Sequence, residues 1–278
     1  MTVGGLCALT GMSKQNYYKG ERARSRRRVE EELIVDLVKA ERKVQGRLGA
    51  RKLLVVLAGE LAEAGVEIGR DRLLALLRDN NLLIEPRRTG PPRTTDSRHW
   101  MRVWSNLFKD AKLTGPHQAW VSDLTYLRTR QGFVYLALVM DAWSRKIVGW
   151  HVGPTLEALG CLEAARMALG QLPAEARPIH HSDRGTQYCC GDYVDLLQDA
   201  GLTISMTEVN HCYENARAER LNGILKQEYG LGGELIGPAY AERAVAEAVE
   251  LYNRRRPHMA LGYRTPQMVH AEAERAAA

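Results

Sequence analysis

Three carboxylates stand where a folded chain rarely leaves charge unattended. In AWVSDLTYL, residues 119–127, Asp123 interrupts an apolar, strand-like run between Val121 and Leu124. A charge there is costly unless it is paired or bound to a cation. In HHSDRGTQY, residues 180–188, Asp183 falls where a short strand hands over to a glycine-containing loop. Strand ends of α/β sheets commonly carry function. Glu219 lies on CYENARAERLNGILKQEY, residues 212–229, whose spacing predicts a helix. Its apolar stripe is Ala218, Leu221, Ile224 and Leu225, and its polar stripe is Asn215, Glu219, Asn222 and Lys226.

Singly, each acid admits a structural role: Asp123 in a buried hydrogen-bond network, Asp183 as a turn cap, Glu219 facing water. Together, on strand, strand end and helix of one domain, they fit a metal site better. Carboxylate oxygens suit Mg²⁺, which keeps waters and borrows phosphate oxygens from substrate. Two such ions roughly 3.5–4 Å apart can activate the attacking oxygen and stabilise the leaving one in phosphoryl transfer. Clustered carboxylates repel, so raised pKa values are expected when no metal is bound. Asp141 is a rival acid, but it precedes a turn-like AWSR and reads as a local backbone cap. Glu214 does not share a helix face with Glu219. His180 and His181 can suggest a metallohydrolase, yet no second histidine cluster shows ligand spacing.

The elements that position these acids are readable from periodicity. Residues 119–128, 132–141 and 145–153 are strand-like runs separated by short turns, which predicts an antiparallel meander. A helix over 155–172, a strand over 177–183, a helix around 193–201 and a strand over 202–206 follow. A helix over 238–253 follows the one bearing Glu219. The expected fold is α/β with a mixed sheet over 113–230 and a helical C-terminal extension over 231–278.

Ahead of this domain, residues 1–85 read as helical, with candidate helices at 29–44, 49–65 and 69–82 and Gly65 as a cap. Two short helices joined by a tight turn fit a helix-turn-helix. Arg51, Lys52, Arg70 and Arg72 occupy first helical turns, where positive charge opposes the helix dipole. An external phosphate accounts for that placement; so does any basic helical bundle. Residues 86–112 are rich in Pro, Thr and Arg without sustained period and read as a basic linker. The net charge of +6 is uneven: residues 1–110 hold 22 Lys/Arg against 14 Asp/Glu, the remainder 17 against 19. That asymmetry points to a polyanion-binding arm.

The longest apolar run, FVYLALVM at 133–140, is too short to span a bilayer, and the N-terminus lacks the pattern of an export signal. Five cysteines without a C-x-x-C pair read as reduced thiols, so a cytoplasmic protein is expected.

Four motifs then become recognisable: W-x-x-D-x-T-Y (120–126), H-S-D-R-G-x-Q-Y (181–188), Y-E-N-A-x-x-E-R (213–220) and Y-N-R-R-R-P-H-x-x-L-G (252–262). In this order they resemble the DDE transposases of bacterial insertion sequences, in the IS-three branch, which share their catalytic core with retroviral integrases. Thirty-five residues separate Asp183 from Glu219, the spacing of the D,D(35)E group, and Lys226 stands seven positions after the Glu. R-L-G-A-R-K-L (47–53), G-R-D-R-L (69–73) and T-T-D-S-R-H (94–99) are similar to that family's DNA-binding region. Glu214 and Arg220 stand where many relatives have Asp and Ser.

The resemblance implies an RNase H-like core with a mixed five-stranded sheet. It implies that Asp123, Asp183 and Glu219 hold two Mg²⁺ ions (Mn²⁺ serving as well), with Asn215 and Asn222 supporting them. Arg184 and Lys226 are expected DNA contacts, alongside Arg51, Lys52, Arg70 and Arg72. The implied reaction frees a 3′-OH at the element end and attacks a second phosphodiester with it, by a copy-out-paste-in route and without a covalent protein–DNA intermediate. Implied partners are end and target DNA, a second copy of the chain and an upstream-frame protein. Implied localisation is the bacterial cytoplasm, with the nucleoid. A DNA-binding regulatory fragment without turnover is the alternative.

Overall fold

Apolar residues spaced at 3.6 build the N-terminal unit. In the computed structural model of the chain, residues 2–84, 99–208 and 216–277 are described, and they fall into two units, 1–85 and 86–278. The first unit contains α1 (Val3–Thr10), α2 (Lys14–Val44), α3 (Ala50–Val56), α4 (Ala58–Glu63) and α5 (Arg70–Asp79). Helix α2 begins fifteen residues before the apolar pattern predicts one. Ser13 caps it by accepting from Asn16 N–H at 3.2 Å, and the exposed pairs Glu21–Arg24 and Arg26–Glu30 lie along its basic stretch. The helix expected over 49–65 breaks at Leu57 into α3 and α4. Gly65 then ends α4 with φ +64°, while Val66 N–H returns to Leu61 O at 2.9 Å. Ile34, Val38, Leu53, Leu57, Leu73 and Leu77 are among the residues that form this unit's core.

The second unit is built on β1 (Ala119–Thr129), β2 (Gly132–Asp141), β3 (Ile147–Gly153), β4 (Ile179–Ser182) and β5 (Thr203–Met206), in the order β3-β2-β1-β4-β5. The first three pair antiparallel, from Trp120↔Asp141 to Thr129↔Gly132 between β1 and β2. Strand β4 then joins β1 in parallel, and β5 joins β4 in parallel. This is the mixed five-stranded sheet that the sequence leads one to expect.

Helices cover both faces, which is why β1 and β2 read as nearly unbroken apolar runs. They are α6 (Ala158–Leu169), α7 (Thr186–Cys189), α8 (Gly191–Asp199), α9 (Ala216–Glu228) and α10 (Pro238–Arg254), while α11 (Pro266–Ala277) packs on α10. On one face Val121, Leu127, Leu136 and Leu138 pack with Leu221, Leu225, Val245 and Tyr252. On the other, Trp120, Leu124, Val139 and Val148 pack with Ala164, Ala168, Tyr193 and Leu197. The C-terminal segment, expected as an extension, thus supplies seven of the twenty described buried residues of one core, from Leu231 to Tyr252.

Residues 99–112, the described part of the segment expected to be a linker, also lie on the sheet. Leu107 N–H and Phe108 N–H both donate to Ser205 Oγ, at 2.9 and 3.2 Å, and Phe108 stacks on His181. The remainder of that segment lies outside the described residues.

Helix α6 approaches β3 so closely that a Cβ on Gly149 would sit 2.0 Å from Ala164 O. Backbone cannot yield as a side chain does. Gly149→Ala is therefore expected to destabilise by about 3 kcal/mol, the upper end for overpacking. A lowered urea midpoint with unchanged slope checks it.

Candidate active site

Alternation along β1 decides where Asp123 points. Val121, Asp123, Thr125 and Leu127 share one face, and α9 packs over that face through Ala218, Leu221, Ile224 and Leu225. The same helix therefore brings its polar stripe to the acid. Asn222 Nδ2 donates to Asp123 Oδ2 at 2.6 Å, and Leu124 N–H donates to Oδ1 at 3.0 Å. Lys226 Nζ donates to Thr125 Oγ1 at 2.7 Å and lies 4.2 Å from the Tyr126 ring centre.

The Asp123 carboxyl is half-buried, and its pKa is pushed up to about 7. Burial is the largest cause and the charge of Asp183 the next; the Leu124 and Asn222 hydrogen bonds oppose them, and Glu219 adds a smaller upward push. The three acids therefore lie within electrostatic reach of one another. Burial lowers the Lys226 pKa, and Asp123 draws it back up.

Asp183 follows β4 directly, and its Oδ1 accepts from Gly185 N–H at 2.9 Å. A Cβ on Gly185 would lie 3.0 Å from that same oxygen, so glycine leaves the carboxylate room to hold this turn. Glu219 is exposed in the first turn of α9, where a helix dipole favours negative charge.

Arg184, expected at DNA, is half-buried, and its Nε donates to Thr207 O at 2.6 Å. It ties the end of β4 to the end of β5. Lys226 likewise rests on β1 rather than reaching into solvent. Arg51, Arg70 and Arg72 are exposed, and two of them have acidic partners: Arg70 pairs with Asp71 at 2.6 Å and Arg72 with Glu31 at 3.3 Å. Lys52 is half-buried. Asn215 lies outside the described residues.

The rival groups have structural roles. Asp141 is fully buried and accepts from Trp143 N–H, Ser144 N–H, Ser144 Oγ and His117 N–H. His180 Nε2 meets Ser122 Oγ and Tyr193 Oη at 2.8 and 2.9 Å, and burial drops its pKa to about 3. His181 Nδ1 meets Ser205 Oγ at 3.0 Å.

Among the described residues, one set of three ligand-type side chains holds its ligand atoms within 4.8 Å of one another: His117, His270 and Glu274. The three acids are not such a set. The histidine set corrects the expectation that no further histidine cluster has ligand spacing. Its signal was His270 and Glu274 at i, i+4; its third member lies 157 residues from Glu274. Thr125 and Tyr126, which receive Lys226, were also missed, although a residue two beyond Asp123 on a strand must share its face.

Comparison with known proteins gives the family. An integrase core domain family matches residues 114–212, and a second integrase core domain family matches residues 200–266. A 31 kDa protein of insertion element IS600 from Shigella sonnei is 34% identical over 265 residues, 94% of this chain and 96% of the relative. Transposase InsF for insertion sequence IS3A of Escherichia coli K12 is 35% identical over 223 residues, 80% of this chain and 76% of the relative. The catalytic core domain of BIV integrase aligns with 58% of this chain and 97% of its own, with TM-score 0.45 and 19% identity, a likeness too loose to decide anything. With a relative matched over nearly the full length of both chains, the chain belongs to the IS3 family of DDE transposases.

Proposed function

We propose that Asp123, Asp183 and Glu219 are the acids with which this transposase cuts the ends of its element and joins them to new DNA. The observation that carries this reading is the half-buried Asp123 under the helix that supplies Asn222 and Lys226, its pKa raised by burial first, then by Asp183 and, less, by Glu219. A carboxylate whose proton affinity is raised by burial and by two neighbouring acids is part of an oxygen-donor set that a hard divalent cation relieves, and Mg²⁺ fits it, with Mn²⁺ as a substitute. Two such ions, when bound, would supply charge neutralisation at the attacking and leaving oxygens of an in-line displacement.

The protein's own contributions follow from the site. Asn222 and Leu124 N–H each hold one oxygen of Asp123 by hydrogen bond, and the second lone pair of each oxygen is left to a ligand. Asp183 is held by its turn, and Glu219 is free to swing in from the helix start. Lys226 places a cation two helical turns beyond Glu219, where a phosphate of the bound end would lie. Cleavage joins a water oxygen to phosphorus and releases a 3′-OH; transfer joins that 3′-oxygen to the phosphorus of a second strand and releases its old partner. No side chain needs to become a leaving group. Tyr188, close to Asp183 in sequence, is 3% exposed with its phenol pKa raised by burial, which suits packing rather than nucleophilic attack.

DNA is the substrate, and residues 1–85, with Arg51, Lys52, Arg70 and Arg72, are the arm that selects the ends. Pairing of two ends requires at least two copies of the chain during reaction. The test is cleavage and strand transfer on labelled element ends, with and without Mg²⁺, by the full chain and by a chain lacking residues 1–85. Mg²⁺-dependent nicking at the end, lost in end preference when the arm is removed, is the expected result. End binding with no cleavage under any divalent ion would instead mean a regulatory DNA-binding protein.

A further inference from the structure

We propose that His117, His270 and Glu274 form a zinc site that fastens the C-terminal helix to the start of the catalytic sheet, separate from the three acids. Four residue steps along β1, about 13 Å of strand, separate Asp123 from Ala119, which is two residues after His117. His117 sits at φ +58° in the loop before β1, a backbone state uncommon for histidine. His270 and Glu274 lie one turn apart on α11. Glu274 Oε1 is 2.9 Å from His117 Nε2 and 3.3 Å from His270 Nε2.

The hydrogen-bond chain behind His270 fixes which nitrogen faces the cluster. Ser144 Oγ gives its only proton to Asp141 Oδ1 at 2.8 Å, so it can only accept at 2.9 Å from His270 Nδ1. In the neutral imidazole the lone pair then sits on Nε2. That atom is fully buried, aimed at a carboxylate oxygen, and has no hydrogen-bond partner among the described residues. A lone pair facing a carboxylate is unfavourable until a cation lies between them. Lys146 attracts Glu274 through space but gives Nε2 no hydrogen bond. An imidazole whose other nitrogen is held by an oxygen, itself held by a buried carboxylate, is the outer support that metal-binding histidines use.

Two imidazoles and one carboxylate favour Zn²⁺ over Mg²⁺, which prefers oxygen. His117 offers Nε2 once its proton moves to Nδ1. Water supplies the fourth position, because Glu274 keeps contact with solvent. The role is structural: the ion would join α11, the loop before β1 and, through Ser144 and Asp141, the β2–β3 turn.

The full chain, stripped with chelator and reloaded with Zn²⁺, should hold one ion per molecule, and Co²⁺ in its place should give the strong visible absorption of a four-coordinate site. Asp123→Asn/Glu219→Gln should hold the same ion, which separates this site from the proposed catalytic one. Ser144→Ala should weaken binding by about 10–100-fold, and Glu274→Gln by more than that. Glu274 is partly exposed, so this variant should fold, and its circular dichroism and its metal-free Tm check that it does. Wild-type protein that retains no Zn²⁺, or Glu274→Gln protein that retains it unchanged, overturns the site.

Discussion

Asp123→Asn is expected to lose end cleavage by at least about 10³-fold and, in metal-free buffer at pH 8, to be more stable than the wild type. The activity loss follows from the proposed role: a metal-holding oxygen becomes an amide, and losing several kcal/mol of transition-state stabilisation is a thousandfold or more in rate. The stability gain follows from the direction of the Asp123 shift. Its folded pKa is raised from 3.8 to about 7, chiefly by burial and then by Asp183. The folded state therefore holds a proton that the unfolded chain releases in this window, and stability falls as pH rises from about 4 to about 7. Above that window the full penalty applies, about 1–3 kcal/mol once solvent screening of a half-buried group is allowed for. Asparagine carries no such penalty. Urea unfolding at pH 4 and pH 8 in chelator separates the terms: the two proteins should match at pH 4 and diverge at pH 8. Added Mg²⁺ should stabilise the wild type at pH 8 and bring the two together. A wild type equally stable at both pH values would refute the coupling of Asp123 to its neighbours.

The same residue shows what the sequence could and could not disclose. A charge inside AWVSDLTYL is visible because strand alternation makes the surrounding apolar residues conspicuous, and the stripe Ala218, Leu221, Ile224, Leu225 is visible because helices repeat at 3.6. Those two periods placed the sheet strands, the covering helix and the polar side of that helix. They did not show that Lys226 would lie down on Thr125 and Tyr126, because that contact links residues 101 positions apart. Nor did they show that residues 99–112 would pack on β5. An extended segment held by Leu107 and Phe108 N–H groups on one serine hydroxyl leaves no periodic trace. Basic charge is legible only as a count. Arg70, Arg72 and Arg184 stood out as cations awaiting phosphate, yet each has a hydrogen-bond partner within the chain. Composition counts charges but cannot say which are already engaged.

The YNRRRPH segment carries the second large effect. Within its run of three arginines, Arg256 is 3% exposed. Its Nε and Nη2 donate to the two Glu228 oxygens at 2.7 and 2.8 Å, and Nη1 meets His258 Nε2 at 2.9 Å. Burial pulls the Arg256 pKa down, but the bonds and charge of Glu228 more than restore it. Glu228 is the last residue of α9, so this pair anchors the helix that carries Glu219, Asn222 and Lys226. Arg256→Met should destabilise by about 3 kcal/mol, the lower end for breaking a buried pair, because Glu228 keeps some access to water. The loss arises mainly from stranding the carboxylate, so pairing Arg256→Met with Glu228→Gln should recover much of it, a coupling that a double-mutant cycle in urea measures directly. If Arg256→Met alone falls within about 0.5 kcal/mol of the wild type, as surface substitutions do, the pair does not hold α9. If it destabilises as expected, cleavage at temperatures where the variant remains folded should also fall, since the end of α9 would no longer be fixed against α10 while Asn222 must still meet Asp123.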